Sequence, residues 1–86
     1  MAADDRVIEE ARRAALEVLH YCARGPRGDL PRTAGWGYAE PYTRDWMIAA
    51  LGILTTGDAV LRDTIRRMLS ALSAIQSPHG QIPGLA

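Results

Sequence analysis

The chain reads as all-α, and three observations point there. Apolar residues recur at three- and four-residue steps in two long segments. A third segment, shorter, is apolar nearly throughout. Gly and Pro collect mainly between these segments, where they punctuate rather than interrupt. The expected architecture is a helix, a long loop, an antiparallel helical hairpin and a C-terminal loop, all within one partial domain over 1–86.

The first helix is expected over 5–23. Val7, Ile8, Ala11, Ala15, Val18, Leu19 and Cys22 form its apolar stripe, with Arg and Glu on the other faces. Asp4 or Asp5 suits its N-terminus, where acids also complement the helix dipole. Glu9 and Arg13 stand four residues apart, a favourable pair. Gly25-Pro26 ends the helix.

Residues 24–43 carry seven Gly and Pro residues, Gly25, Pro26, Gly28, Pro31, Gly35, Gly37 and Pro41, which is loop chemistry. Loops this long are functional or disordered. Disordered segments are poor in aromatics, yet Trp36, Tyr38 and Tyr42 fall here, so the second half is expected to be ordered. Arg27-Gly28-Asp29 spells an adhesion tripeptide, but three letters recur by chance and nothing else in the chain points outside the cell.

The second helix is expected over 44–55. Trp46, Met47, Ile48, Ala49, Ala50, Leu51, Ile53 and Leu54 leave it no polar face, and a helix apolar all round is buried all round. That implies packing partners beyond those that a chain of this size offers. Gly57 suits a left-handed C-cap and Asp58 an N-cap. The third helix, over 59–76, has Leu61, Ile65, Met68, Leu69, Leu72 and Ile75 on one side. Its other side carries Arg62, Asp63, Arg66 and Arg67, with Asp63 and Arg67 as a four-residue pair. Pro78, Gly80, Pro83 and Gly84 make 77–86 a loop.

Ten basic residues balance ten acidic ones. This argues against a nucleic-acid footprint or a polybasic membrane patch. All ten basic residues are Arg. Cys22 is the sole cysteine, so no internal disulfide forms and no thiol cluster holds zinc; a buried, inert thiol is expected. The acidic N-terminus lacks a signal sequence's apolar core, and no run reaches the ~20 apolar residues of a membrane span. A cytoplasmic setting is the expectation. His20 and His79 lack partner ligands, and no cofactor or metal is expected.

Polar and aromatic groups gather at one pole. In an antiparallel hairpin the start of the second helix, Arg44-Asp45-Trp46, lies beside the end of the third, which runs into His79-Gly80-Gln81. Aromatic faces with nearby donors and acceptors suit sugars. The competing reading makes Asp45 a helix cap, Arg44 its ion-pair partner and the aromatics core.

Tyr42-Thr43-Arg44-Asp45-Trp46, the apolar helix, the Thr-Gly-Asp turn, the amphipathic helix ending in Gln76, and Gly80-Gln81-Ile82-Pro83-Gly84 together resemble a hairpin of the six-hairpin, (α/α)6-barrel glycoside hydrolases. Glucoamylases, glycogen debranching glucosidases, trehalases and neutral invertases share this toroid. The likeness covers 35–86. It implies that Arg44 donates to and Asp45 accepts from sugar hydroxyls, that Trp46 and Tyr42 wall the pocket, that Gln81 sits on its rim, and that Trp36 is a stacking platform. Carbohydrate is the implied partner. Those families use two carboxylates, about 6.5–9.5 Å apart when they invert, and draw them from later hairpins. No catalytic residue is therefore assigned, and hydrolysis by this chain alone is not expected. The resulting expectation is a glycoside hydrolase fragment that supplies part of a sugar subsite. The alternative is a small helical interaction module that self-associates through its apolar second helix.

Overall fold

The computed structural model describes residues 2–34 and 37–86. It contains α1 (Ala2–Cys22), α2 (Thr43–Ile53) and α3 (Ala59–Ala74). Among the described residues the one β-type pairing is an isolated antiparallel bridge, Tyr42 with Leu85. The helix, loop and helical-hairpin order matches the expectation. Trp36 lies outside the described residues.

The helix ends differ from the expected bounds for local reasons. α1 begins at Ala2, which puts Asp4 and Asp5 inside its first turn rather than at its cap. There they still face the positive end of the dipole. Glu9 pairs with Arg12 at 3.7 Å, three residues on, in place of Arg13. α2 stops at Ile53 because threonine hydroxyls capture its last carbonyls. Thr55 Oγ1 donates to Gly52 O at 2.7 Å, and Thr56 Oγ1 to Ile53 O at 2.7 Å. Gly57 then takes φ 71°, which a side-chain-bearing residue adopts only under strain. Asp58 caps α3 by accepting the Leu61 N–H at 3.0 Å. Both ends of the tight turn are thus as expected.

The core is small and sits in the hairpin. Trp46, Ala50 and Ile53 from α2 meet Leu61, Ile65, Met68 and Leu72 from α3. Thr64 is also fully buried; its hydroxyl donates back to Val60 O at 3.1 Å, which satisfies it. Leu69 and Ile75, expected on the core stripe, stay about half exposed. α1 adds Cys22, with Ala23 just beyond it, to this core, and Leu16 and Leu19 pack against it.

The rest of α1 projects. Every residue from Asp4 to Ala15 is exposed, and the molecule measures 54 × 24 × 19 Å. A helix of 21 residues spans about 31 Å, so the long dimension reflects this overhang. The expected stripe on α1 therefore has a neighbour only over its last two turns. Val7 and Ile8 have none.

α2 is not buried all round. Its buried residues, Trp46, Ala50 and Ile53, follow one face at four- and three-residue steps. Opposite them Ile48 is 63% exposed and Leu51 71%. The expectation of full burial fails because α3 and the loop cover one side only. What remains is an apolar outer face.

The long loop is held by Thr33. Its hydroxyl donates to Glu40 O at 2.6 Å and accepts the Tyr42 N–H at 2.9 Å. Its own N–H reaches Tyr38 O and Glu40 O. Upstream, Gly25 N bonds Leu30 O and Arg32 N bonds Cys22 O, both at 2.8 Å. Arg67 Nε donates to Asp29 O at 3.1 Å and fastens this part of the loop to α3. The C-terminal segment returns to the start of α2. Thr43 N bonds Gly84 O at 2.9 Å, Thr43 Oγ1 bonds Pro83 O at 2.6 Å, and Ala86 N bonds Pro41 O at 3.1 Å.

Candidate functional site

The start of α2 and the return of the C-terminal segment do share one pole, through the Thr43 bonds to Pro83 and Gly84. The side chains expected to act together there separate. Successive helix positions are 100° apart, and that rotation divides the Arg44-Asp45 pair.

Asp45 faces a recess of about 430 Å³ that Thr33, Ala34, Tyr38 and Tyr42 also line. Tyr38 is 60% exposed and Tyr42 37%, so both residues reach solvent. The recess is placed by the Thr33 bonds described above, which set the Tyr38–Tyr42 backbone against the first turn of α2. One carboxylate and two phenols make a set able to accept from and donate to a neutral polyol, while the Thr33 hydroxyl is already engaged with Glu40 O and the Tyr42 N–H.

Arg44 is exposed and lies elsewhere on the helix circumference, in line with Ile48 and Leu51. Among the described residues it makes no ion pair with Asp45. Asp45 does not cap α2 either, whose N-cap is Tyr42 with no side-chain hydrogen bond. The competing structural reading of this pair therefore does not describe it.

Trp46 is 3% exposed, and its indole N–H donates to Arg32 O at 2.7 Å. It is a core residue that ties loop to helix, and it also lines the neighbouring groove. Gln81 lies by a different hollow, of about 470 Å³, with Ile75, Ser77, Ile82 and Pro83. Its main chain bonds Ser77 through both N–H and C=O.

A larger groove, of about 680 Å³, runs between α1 and α2. Ala14, Val18 and Tyr21 form one wall, Trp46 and Ala49 the other, with Thr33 and Ala34 at one end. Glu17 and Asp45 are the charged groups on it. Cys22 lies at its base; burial pushes its thiol upward against the partial opposing effect of Arg32. A thiol so raised stays protonated near neutrality and is a poor nucleophile.

Arg32 was not singled out by sequence, and its role is local. Its guanidinium lies 4.9 Å from the Tyr21 ring centroid and donates to Tyr21 Oη at 3.4 Å. Thr33 was equally silent, since a lone threonine in a loop carries no signal of the contacts it will make. Among the described residues no group of three or more His, Cys, Asp and Glu is placed to hold a metal, and no helix is long and apolar enough to cross a membrane.

Compared with known proteins, the chain matches no family model, no curated protein and no solved structure.

Proposed function

We propose that this chain is a helical interaction module that works by burying the outer face of α2 against another helical surface. The observation that carries this is the exposure of Ile48 and Leu51, 63% and 71%, directly opposite the buried Trp46, Ala50 and Ile53. Isolated exposed apolar residues need no explanation, but a contiguous apolar patch marks an interaction surface. Leu54 widens the patch at the helix end, 54% exposed. A cytoplasmic setting belongs to the same proposal, supported by the unpaired Cys22.

The test compares the purified chain with the double variant Ile48→Lys/Leu51→Lys. The wild-type chain is expected to bind a fluorescent dye for apolar surfaces, or to self-associate, and the double variant to lose both with its helical circular dichroism retained. A wild-type monomer that neither binds dye nor changes on substitution refutes the module.

A second reading keeps the sugar subsite, and the specific observation in its favour is the grouping of Asp45 with Thr33, Tyr38 and Tyr42 in one recess. Here the chain is a fragment of a six-hairpin glycoside hydrolase, and Asp45 accepts hydrogen bonds from sugar hydroxyls while a tyrosine ring packs on the sugar's apolar face. Among the described residues Asp45 is the one carboxylate on the recess, so binding without hydrolysis is the expected outcome. Titration with glucose and maltose, followed by amide chemical shifts of Asp45 and Tyr42, tests it; shifts that stay constant to saturating sugar end this reading.

A further inference from the structure

The groove between α1 and α2 and the recess at Asp45 adjoin. Thr33, Ala34 and Asp45 line both. The groove walls are apolar, Val18 on α1 facing Trp46 and Ala49 on α2. At its Asp45 end the hollow passes to Tyr38 and Tyr42. A volume of about 680 Å³ is that of a small-molecule site, where apolar walls hold the body of a ligand and a few polar groups select its head.

The charges on this hollow are one-sided. Glu17 and Asp45 border the groove, and among the described residues no Arg or His does. Neither carboxylate has an ion-pair partner among the described residues, whereas Glu9, Asp29, Asp58 and Asp63 each have one. Arg32 stands against the Tyr21 ring and offsets at most one of the two. The N-terminus of α2 contributes about half a positive charge, so the sum stays negative. Tyr38 and Tyr42 act in the same sense, because the faces of aromatic rings attract cations.

We infer that the hollow binds an organic ammonium ion with an apolar body. The ammonium lies at Asp45 beside Tyr38 and Tyr42, and the body lies along Val18, Trp46 and Ala49. A neutral sugar would use the recess alone and leave the groove empty. Ile48, Leu51 and Leu54 line neither part of the hollow. The site is therefore separate from the outer face of α2 and goes beyond both readings above.

The test titrates the full chain with octyltrimethylammonium, followed by chemical shifts. Shifts are expected at Val18, Ala49 and Asp45. Tetramethylammonium lacks the tail, octanol lacks the charge and octanoate reverses it; each should bind at least about tenfold more weakly. Asp45→Asn should weaken the octyl probe about tenfold, and Tyr38→Leu and Tyr42→Leu about two- to fivefold each. Val18→Arg, a cation set into the groove wall, should abolish binding. Glu10→Gln, at an exposed carboxylate of α1 outside the hollow, should change nothing. All five positions are exposed, and helical circular dichroism checks each fold. Octylphosphocholine separates a lipid headgroup from a free amine: its phosphate would meet Asp45, so it should bind more weakly than the octyl probe, and tighter binding overturns the amine. No binding of the probe at millimolar concentration overturns the inference. So does equal affinity for octanol, or an Asp45→Asn variant that binds as the parent does. Shifts confined to Ile48 and Leu51 also overturn it, since they place the probe on the outer face of α2 and leave the module standing.

Discussion

His20 Nε2 lies 2.8 Å from Asp58 Oδ2, while the other oxygen of the same carboxylate accepts the Leu61 N–H at 3.0 Å. One side chain thus caps α3 and anchors the end of α1 to the hairpin. The Leu61 N–H first, and His20 second, hold the Asp58 carboxyl below its usual range. A group whose folded pKa is depressed contributes stability that is fully present above its unfolded value, about 3.9. That contribution is lost as pH falls through the lower folded value. The melting temperature is therefore expected to be level in Asp58 above about pH 5 and to decline below about pH 4. Asp58→Asn keeps a good capping side chain and should flatten that acid limb; Asp58→Ala should lower the melting temperature at every pH. An unchanged acid limb in Asp58→Asn would show that the carboxylate is not its source.

Trp46 and Leu51 lie five residues apart on one helix and should respond in opposite ways. Trp46 is buried and donates to Arg32 O. Trp46→Phe removes one hydrogen bond and leaves a carbonyl unsatisfied, at a cost of about 1–3 kcal/mol. Trp46→Ala adds a cavity and costs about 3–5 kcal/mol, which a domain of this size does not survive. Leu51→Ala, on the outer face, should change the monomer by less than about 0.5 kcal/mol. Urea unfolding at a concentration where the chain is monomeric separates these values.

The three helices and the turn chemistry at Gly57 and Asp58 were legible because each is a local consequence of a few neighbouring residues. A 3.6-residue period marks which positions share a face, and capping needs contacts only three residues away. The covering of each face was less legible. The pattern on α2 says that both sides are apolar, and not which side α3 takes or that the other stays open. The stripe on α1 likewise says nothing of how far the hairpin extends beneath it; Val7 and Ile8 fall beyond its reach. At the candidate site, the shared pole followed from antiparallel geometry. The separation of Arg44 from Asp45 follows from the 100° step between neighbours together with the side that α3 occupies, and only the second of these needed coordinates. Thr33 was beyond sequence altogether, because its partners Glu40 and Tyr42 are chosen by the path of the loop.

Thr33→Val isolates that hydroxyl. The substitution keeps the shape and removes both the donor to Glu40 O and the acceptor for Tyr42 N–H. The loss is expected at about 1–3 kcal/mol if the loop stays in place with those groups unpaired. If the loop opens instead, amide hydrogen exchange at Tyr42 should accelerate well ahead of that at Met68, which is fully buried in the hairpin. Equal acceleration at both positions would mean that the loop and hairpin unfold as one unit.

Asp45 and Ile48 offer the sharpest separation between the two functional readings. Asp45 lines the recess with Thr33, Tyr38 and Tyr42, and Arg44 lies in line with Ile48 and Leu51 on the face opposite the core. If the recess holds a sugar, Asp45→Asn replaces a charged acceptor by a neutral amide. Charge-assisted bonds are about twice as strong as neutral ones, so affinity should fall roughly tenfold, which corresponds to about 1.4 kcal/mol. Ile48→Lys should leave sugar affinity unchanged while it weakens the association of chains through the outer face of α2. A sugar site built from both Asp45 and Arg44 would require Arg44 to swing across the first turn of α2. Titrating both variants with maltose, and sizing both at matched concentration, yields a two-by-two comparison: the sugar reading predicts loss only for Asp45→Asn in the first column, and the module predicts loss only for Ile48→Lys in the second.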